Sequence, residues 1–183
     1  IAVRISSHAV QYSLADFRGT MIDRIEEARD QGAVSPQQFL TGFRAALDRL
    51  ISRSRLQPDA ISTVSISSKG LADREGARLS WSPVFGYEPL DFEAALQGFG
   101  TARVHLFNES LLVTHALATR LEKTRGVPLA SLATLSLGHS IGLGVAMRDR
   151  YGALDVRAPN FGHMLHADDG KLCRCGEIGR AHV

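Results

Sequence analysis

The chain opens with apolar and polar residues taking turns. In "IAVRISSHAVQYSLADFRGTMIDRIEEA" the alternation comes in bursts and "DFRG" supplies a turn, which predicts two or three consecutive strands, paired antiparallel because the turns are short. The period then lengthens. Over "SPQQFLTGFRAALDRLISR" Ser35 is placed to cap a helix whose first position is Pro36, with Gln38 completing a capping box. Phe39, Phe43, Leu47 and Leu50 then share its inner stripe. After the break at Gln57-Pro58-Asp59, "AISTVSISS" reads as a strand ending at Lys69-Gly70. From residue 71 to about 90, a stretch containing "SWSPVFGYEP", periodicity fades. A surface loop is expected there, with a substrate-side loop as the alternative.

"PLDFEAALQGFG" is read as a short helix with Asp91 near its start, and "ARVHLF" as the next strand. Asn108 and Glu109 stand at the junction with a further helix, which Gly126 stops. On that helix Val113, Ala116, Leu117 and Leu121 share one face, while His115, Thr119 and Glu122 share the opposite, exposed one. "LATLSLG" and "IGLGVAMR" predict two strands around a glycine turn, and the chain from Tyr151 onward is turn-rich. Strands followed by alternating helices and strands predict an α/β fold with a mixed sheet.

Composition narrows the class. With 183 residues and 44% hydrophobic content, the chain suffices for one substantial core or two small lobes. A net charge of +2 gives little support for nucleic-acid binding by the chain itself. Apolar runs such as "LASLATLSLG" are too short to span a bilayer, and no secretory signal opens the chain, so no membrane partner and a cytoplasmic location are expected. Two cysteines one residue apart make a poor disulfide framework, which agrees with a reducing compartment. The chain begins "IAVRI" without an initiator methionine, and a missing natural beginning is expected.

Three places can carry chemistry. Asn108 and Glu109 follow an apolar strand, and a carboxylate at a strand's carboxyl end can accept a proton from a docked hydroxyl. Glu109 can equally serve only to favour the first helical turn. In "GHSIGLG", Gly138, Gly142 and Gly144 allow either backbone contact with phosphate oxygens or an ordinary tight hairpin. His163, Cys173 and Cys175 suit zinc, against the alternative of two free thiols in a loop. His166 and Asp168 are nearby by number as a fourth ligand.

The stretches "VHLFNESLLVTHAL", "LSLGHSIGLGVAM" and "GHMLHADDGKLCRCG" resemble the signature of the family of repressors, open reading frames and sugar kinases (ROK). The resemblance extends over essentially the whole chain and is nearest to the family's NagC/XylR-like transcriptional regulators. It implies an actin-like ATPase, ribonuclease H-like fold, with residues 1–107 as the first lobe and 108–176 as the start of an incomplete second lobe carrying the glycine turn and zinc loop. A sugar cleft between the lobes is implied, with Asn108, Glu109, Asn160 and His163 facing the sugar. The implied structural zinc site falls on His163, Cys173, Cys175 and Arg180, so its fourth ligand is missing. Residues 177–183, "EIGRAHV", read as a translated sequencing adapter, and Arg180 is expected to stand where a longer natural frame has a cysteine.

Several positions depart from the kinases of that family. Their Asn-Asp pair, whose Asp is the base, falls on Asn108 and Glu109, and their sugar-contacting Glu on Asn160. Their first phosphate loop falls on "RISSHAV", with Arg4 for the acid that helps place the nucleotide's magnesium and Ser6 and Ser7 for glycines. Their Pro-Gly after the fourth strand falls on Lys69-Gly70, and Ser140 replaces a glycine of the second loop. The function this resemblance implies is therefore a sugar-responsive transcriptional regulator whose effector is a monosaccharide or N-acetylated hexosamine. DNA binding would reside in a missing amino-terminal domain, and a homo-oligomer is implied for the full-length form. The alternatives are an ATP- and magnesium-dependent sugar kinase with Glu109 as base, and a degenerate scaffold with neither activity nor ligand.

Overall fold

The computed structural model describes residues 1–29, 34–73, 76–138, 141–165 and 169–172. The chain divides into two compact units, Ile1–Phe107 and Asn108–Val183.

In the first unit the opening alternation forms β1 (Ala2–Ile5), β2 (Ala9–Ala15) and β3 (Met21–Ala28), an antiparallel meander. Val3, Ile5, Val10, Tyr12 and Leu14 project to one side and are buried, so the register is fixed by which face meets the core. Helix α1 (Pro36–Arg53) covers that side. Its capping box forms: the Ser35 hydroxyl accepts from the Gln38 amide at 3.3 Å, and the Gln38 side chain accepts from the Ser35 amide at 3.3 Å. Phe43, Leu47 and Leu50 are buried, each side chain contributing about 1.5–3 kcal/mol. Phe39, near the helix start, is only partly buried and packs against Phe85 with ring centroids 4.6 Å apart. Arg53 pairs with Asp23 at 3.0 Å and Arg49 with Glu27, tying α1 to β3.

Strand β4 (Thr63–Ser68) lies parallel to β1, and with β8 (Arg103–Asn108) it completes a mixed five-stranded sheet in the order β3-β2-β1-β4-β8. Between them, β5 (Leu71–Asp73), β6 (Arg78–Trp81) and β7 (Leu90–Asp91) form a small antiparallel sheet, followed by α2 (Phe92–Ala95) capped by Asp91. This corrects the expected loop. The strands are two to four residues long, too short to display a period, yet Leu79, Leu90 and Phe92 are fully buried.

The second unit consists of α3 (Glu109–Arg125) on an antiparallel sheet of β9 (Ser131–Ser136), β10 (Gly142–Arg148) and β11 (Leu154–Arg157), then a 3-10 turn at Phe161–His163. Gly126, in the left-handed region at φ 70°, ends α3, where a side chain would be strained. Strand β11 replaces part of the expected turn-rich tail; its four residues follow a tight turn in which the Asp149 carboxylate accepts from the amides of Tyr151 and Ala153.

The buried face of α3 also differs from expectation. Ser110, Thr114 and Ala118 are buried, whereas Val113 and Leu117 are exposed. The cause is the partner strand. Gly142, Gly144 and Ala146 present almost no side chain towards the helix, so α3 approaches closely through its own small residues. His115 is exposed, as expected.

Candidate functional site

Asn108 ends β8 and is the N-cap of α3, with no loop between strand and helix. Its Oδ1 accepts from the Ser110 amide at 2.9 Å, which orients the Asn108 side chain across the first turn and places Glu109 at the first helical position. An amide and a carboxylate are thus held at the end of a strand, in the chemistry that accepts and donates hydrogen bonds to hydroxyl groups.

Ser110 and Thr114, one helical turn apart, anchor that helix start. The Thr114 hydroxyl donates to the Ser110 carbonyl at 2.7 Å and is therefore left to accept from the hydroxyl of Thr134 on β9. A Cβ added at Gly142 would collide with the Ser110 hydroxyl, and one at Gly144 with the Thr114 hydroxyl and the Ser110 carbonyl. At Gly138 an added Cβ would meet nothing within 4 Å. Gly142 and Gly144 therefore have a packing reason to be glycine, and Gly138 does not. At the far end of α3, the Glu122 carboxylate accepts from the Leu129 amide at 2.8 Å and pairs with Arg148, and these interactions hold its pKa below the usual carboxylate range.

Asn160 precedes the 3-10 turn, where the His163 amide bonds back to the Asn160 carbonyl at 3.2 Å. The turn packs on β10, the strand that α3 also covers. The other residues of the expected zinc site, Cys173, Cys175 and Arg180, lie outside the described residues, as do His166, Asp168, His139 and Ser140. Among the described residues, no group of three or more His, Cys, Asp or Glu is arranged to hold a metal ion.

In the first unit, Arg4 is exposed in mid-β1, between Gln11 of β2 and Ser67 of β4. Hydrogen bonds from Gln11 and Arg24 keep the Glu26 carboxyl below its usual range, and the charges of Arg24 and Arg4 add to the effect. Arg4 therefore has an acid on its own sheet. The β1–β2 turn is closed by Ser6, whose hydroxyl donates to the Ala9 carbonyl at 2.8 Å and accepts from its amide at 3.1 Å. Arg29 donates to the Ser6 carbonyl at 3.1 Å while its guanidinium lies 4.6 Å from the Phe85 ring centroid. Gly70 is in the left-handed region at φ 128°, where a Cβ would run into the Trp81 backbone.

Sequence reasoning missed Ser110, Thr114 and Arg29. For the first two a signal existed: small hydroxyl residues at i and i+4 on a helix, matched to Gly-x-Gly on a strand. For Arg29 there was none, since its partners Ser6, Phe39 and Phe85 are scattered along the chain.

No protein-family model matches the sequence, and no curated protein matches it. Solved structures do. A ROK family transcriptional regulator, a homolog of the E. coli MLC protein, superposes with a TM-score of 0.71 at 17% identity, over 97% of this chain and 44% of its own. A ROK family glucokinase from Streptomyces griseus, solved with glucose and AMPPNP, gives 0.68 at 19% identity, over 97% and 54%. An inorganic polyphosphate/ATP-glucomannokinase from Arthrobacter sp. strain KM gives 0.62 at 18% identity, over 89% and 62%. No helix among the described residues is long and apolar enough to cross a membrane. The chain has the α/β, actin-like fold with mixed sheets of these ROK structures, and it spans about half their length.

Proposed function

We propose that the chain is the sugar-binding portion of a ROK-type protein, taking a hexose through Asn108, Glu109, Asn160 and His163, and that the whole protein is an ATP-dependent sugar kinase. The observation that carries this reading is the β8–α3 junction. It holds a carboxylate one residue from an amide whose oxygen is committed to the helix cap, so the Asn108 amide is oriented before any ligand arrives and Glu109 is fixed at the first helical position. In the kinase, the Glu109 carboxylate accepts the proton of the attacking sugar hydroxyl, and the open Cβ side of Gly138 leaves room for its backbone to contact phosphate. ATP with magnesium supplies the phosphoryl group. Zinc held by His163, Cys173 and Cys175 would order the loop beside the sugar. A glucokinase and a glucomannokinase are among the similar solved structures, which supports this reading.

A second reading, a sugar-responsive regulator with DNA binding in a further domain, is favoured by Arg4. A cation at that position of β1 opposes a magnesium-nucleotide complex. Calorimetric titration with D-glucose and D-mannose, run beside a coupled ADP-release assay, separates the readings. Binding with turnover of the full-length protein supports the kinase. Binding without turnover supports the regulator, and absence of binding leaves a scaffold with neither role.

A further inference from the structure

The two glycines of β10 and the two hydroxyl residues of α3 fit one another as pairs: Gly142 with Ser110, and Gly144 with Thr114. Ser110 is part of the turn that holds Asn108 and Glu109, since its amide donates to the Asn108 side chain. Thr114 is completely buried; its hydroxyl donates within the helix to the Ser110 carbonyl and accepts from Thr134 of β9. The pairing register sets Gly142 opposite Ser136 and Gly144 opposite Thr134, so one face of the hairpin meets one row of the helix at two successive steps. Sliding or tilting α3 by a fraction of a turn would press the Thr114 hydroxyl onto the strand at Gly144 and break its hydrogen bond with Thr134 of β9.

We infer that Gly142, Gly144, Ser110 and Thr114 are positioning residues: their interlock sets where Asn108 and Glu109 stand relative to the β9–β10 hairpin, and glycine is required at 142 and 144 to admit the helix rather than to touch phosphate. This rests on the sugar-binding reading for its functional consequence. A merely stabilising contact would lower the melting temperature and leave sugar affinity alone below the transition. A positioning contact changes affinity as well.

The test is a pair of double-mutant cycles on the full chain, with the D-glucose dissociation constant and the melting temperature as readouts. Gly144→Ala should weaken glucose binding by about tenfold or more, the scale of one misplaced charge-assisted hydrogen bond. In a Thr114→Ala background the same glycine substitution should cost less but not vanish, because the hydroxyl collision is gone while the Ser110 carbonyl and the Cβ at position 114 still crowd the added methyl. Gly142→Ala against Ser110→Ala is the cleaner cycle: the Ser110 hydroxyl is the one close contact of the added methyl, so in the Ser110→Ala background the penalty should fall below about twofold, and this cycle carries the test where Gly144→Ala does not fold. Val156→Ala on β11 should lower the melting temperature and leave affinity unchanged. An equal penalty for either alanine in both backgrounds would overturn the inference, as would unchanged glucose affinity in a folded Gly144→Ala protein. Failure of the unsubstituted protein to bind glucose would instead count against the sugar-binding reading itself.

Discussion

The two units are held together by different means. Among the described residues, twenty of the buried apolar residues fall in Ile1–Phe107, including Tyr12, Phe43, Phe92 and Phe99, and only Ala118 and Ala146 fall in the second unit. The first unit rests on a core of large side chains with tilted aromatic contacts, Tyr12 to Phe43 at 5.8 Å and Phe43 to Phe92 at 5.1 Å. The second rests on small residues, hydroxyl hydrogen bonds and the Glu122–Arg148 clasp, while Leu135 and Met147 on the outer face of its sheet are more than half exposed. Burial of apolar area is the dominant stabilising term, so the first unit should be the more stable. The second should open at lower free energy, although it carries the proposed sugar-binding residues.

The largest effect expected from this contrast is at Phe43. Phe43→Ala leaves a void among Tyr12, Phe39 and Phe92 and should cost about 3–5 kcal/mol in urea denaturation, whereas Leu117→Ala on the exposed side of α3 should stay within about 0.5 kcal/mol. A large cost at Leu117 would mean that the second unit has an apolar core after all. Next in size, Ser35→Ala removes the capping box of α1 and should cost about 1 kcal/mol, seen in hydrogen exchange as faster opening of the first turn of α1. The smallest effect concerns pH. Because the Leu129 amide and Arg148 lower the Glu122 pKa in the folded protein, its contribution is complete above the unfolded value of about 4.3 and is lost as pH falls through the folded value. Glu122→Gln should therefore flatten the acid limb of the second unit's stability profile while leaving that of the first unit in place, as followed by hydrogen exchange between about pH 3 and about pH 6.

Much of the fold was legible because long elements display their period. The capping signal at Ser35-Pro36-Gln38, the stop at Gly126 and the hairpin around Gly138 all appear where the residues point. The sheet β5–β6–β7 was not legible, since strands of two to four residues carry no period and are held by contacts made elsewhere in the chain. The inner face of α3 escaped for a different reason. Apolar side chains were expected to turn inward, but Gly142 and Gly144 leave room only for Ser110 and Thr114. The candidate residues Asn108 and Glu109 were legible as a strand-to-helix junction, while the interlock behind them depends on a pairing between distant segments. The departures of Arg4, Glu109 and Asn160 from the kinase pattern were legible in the sequence and are what favour the regulator reading.

The measurement closest to the centre of this account is a calorimetric titration of D-glucose into the full chain and into its Glu109→Gln variant. The unsubstituted protein should give a saturable heat with one site, and the variant should bind about ten- to a hundredfold more weakly, the value of a hydrogen bond to a charged group. Equal affinity of the two proteins would contradict the placement of the sugar at the β8–α3 junction.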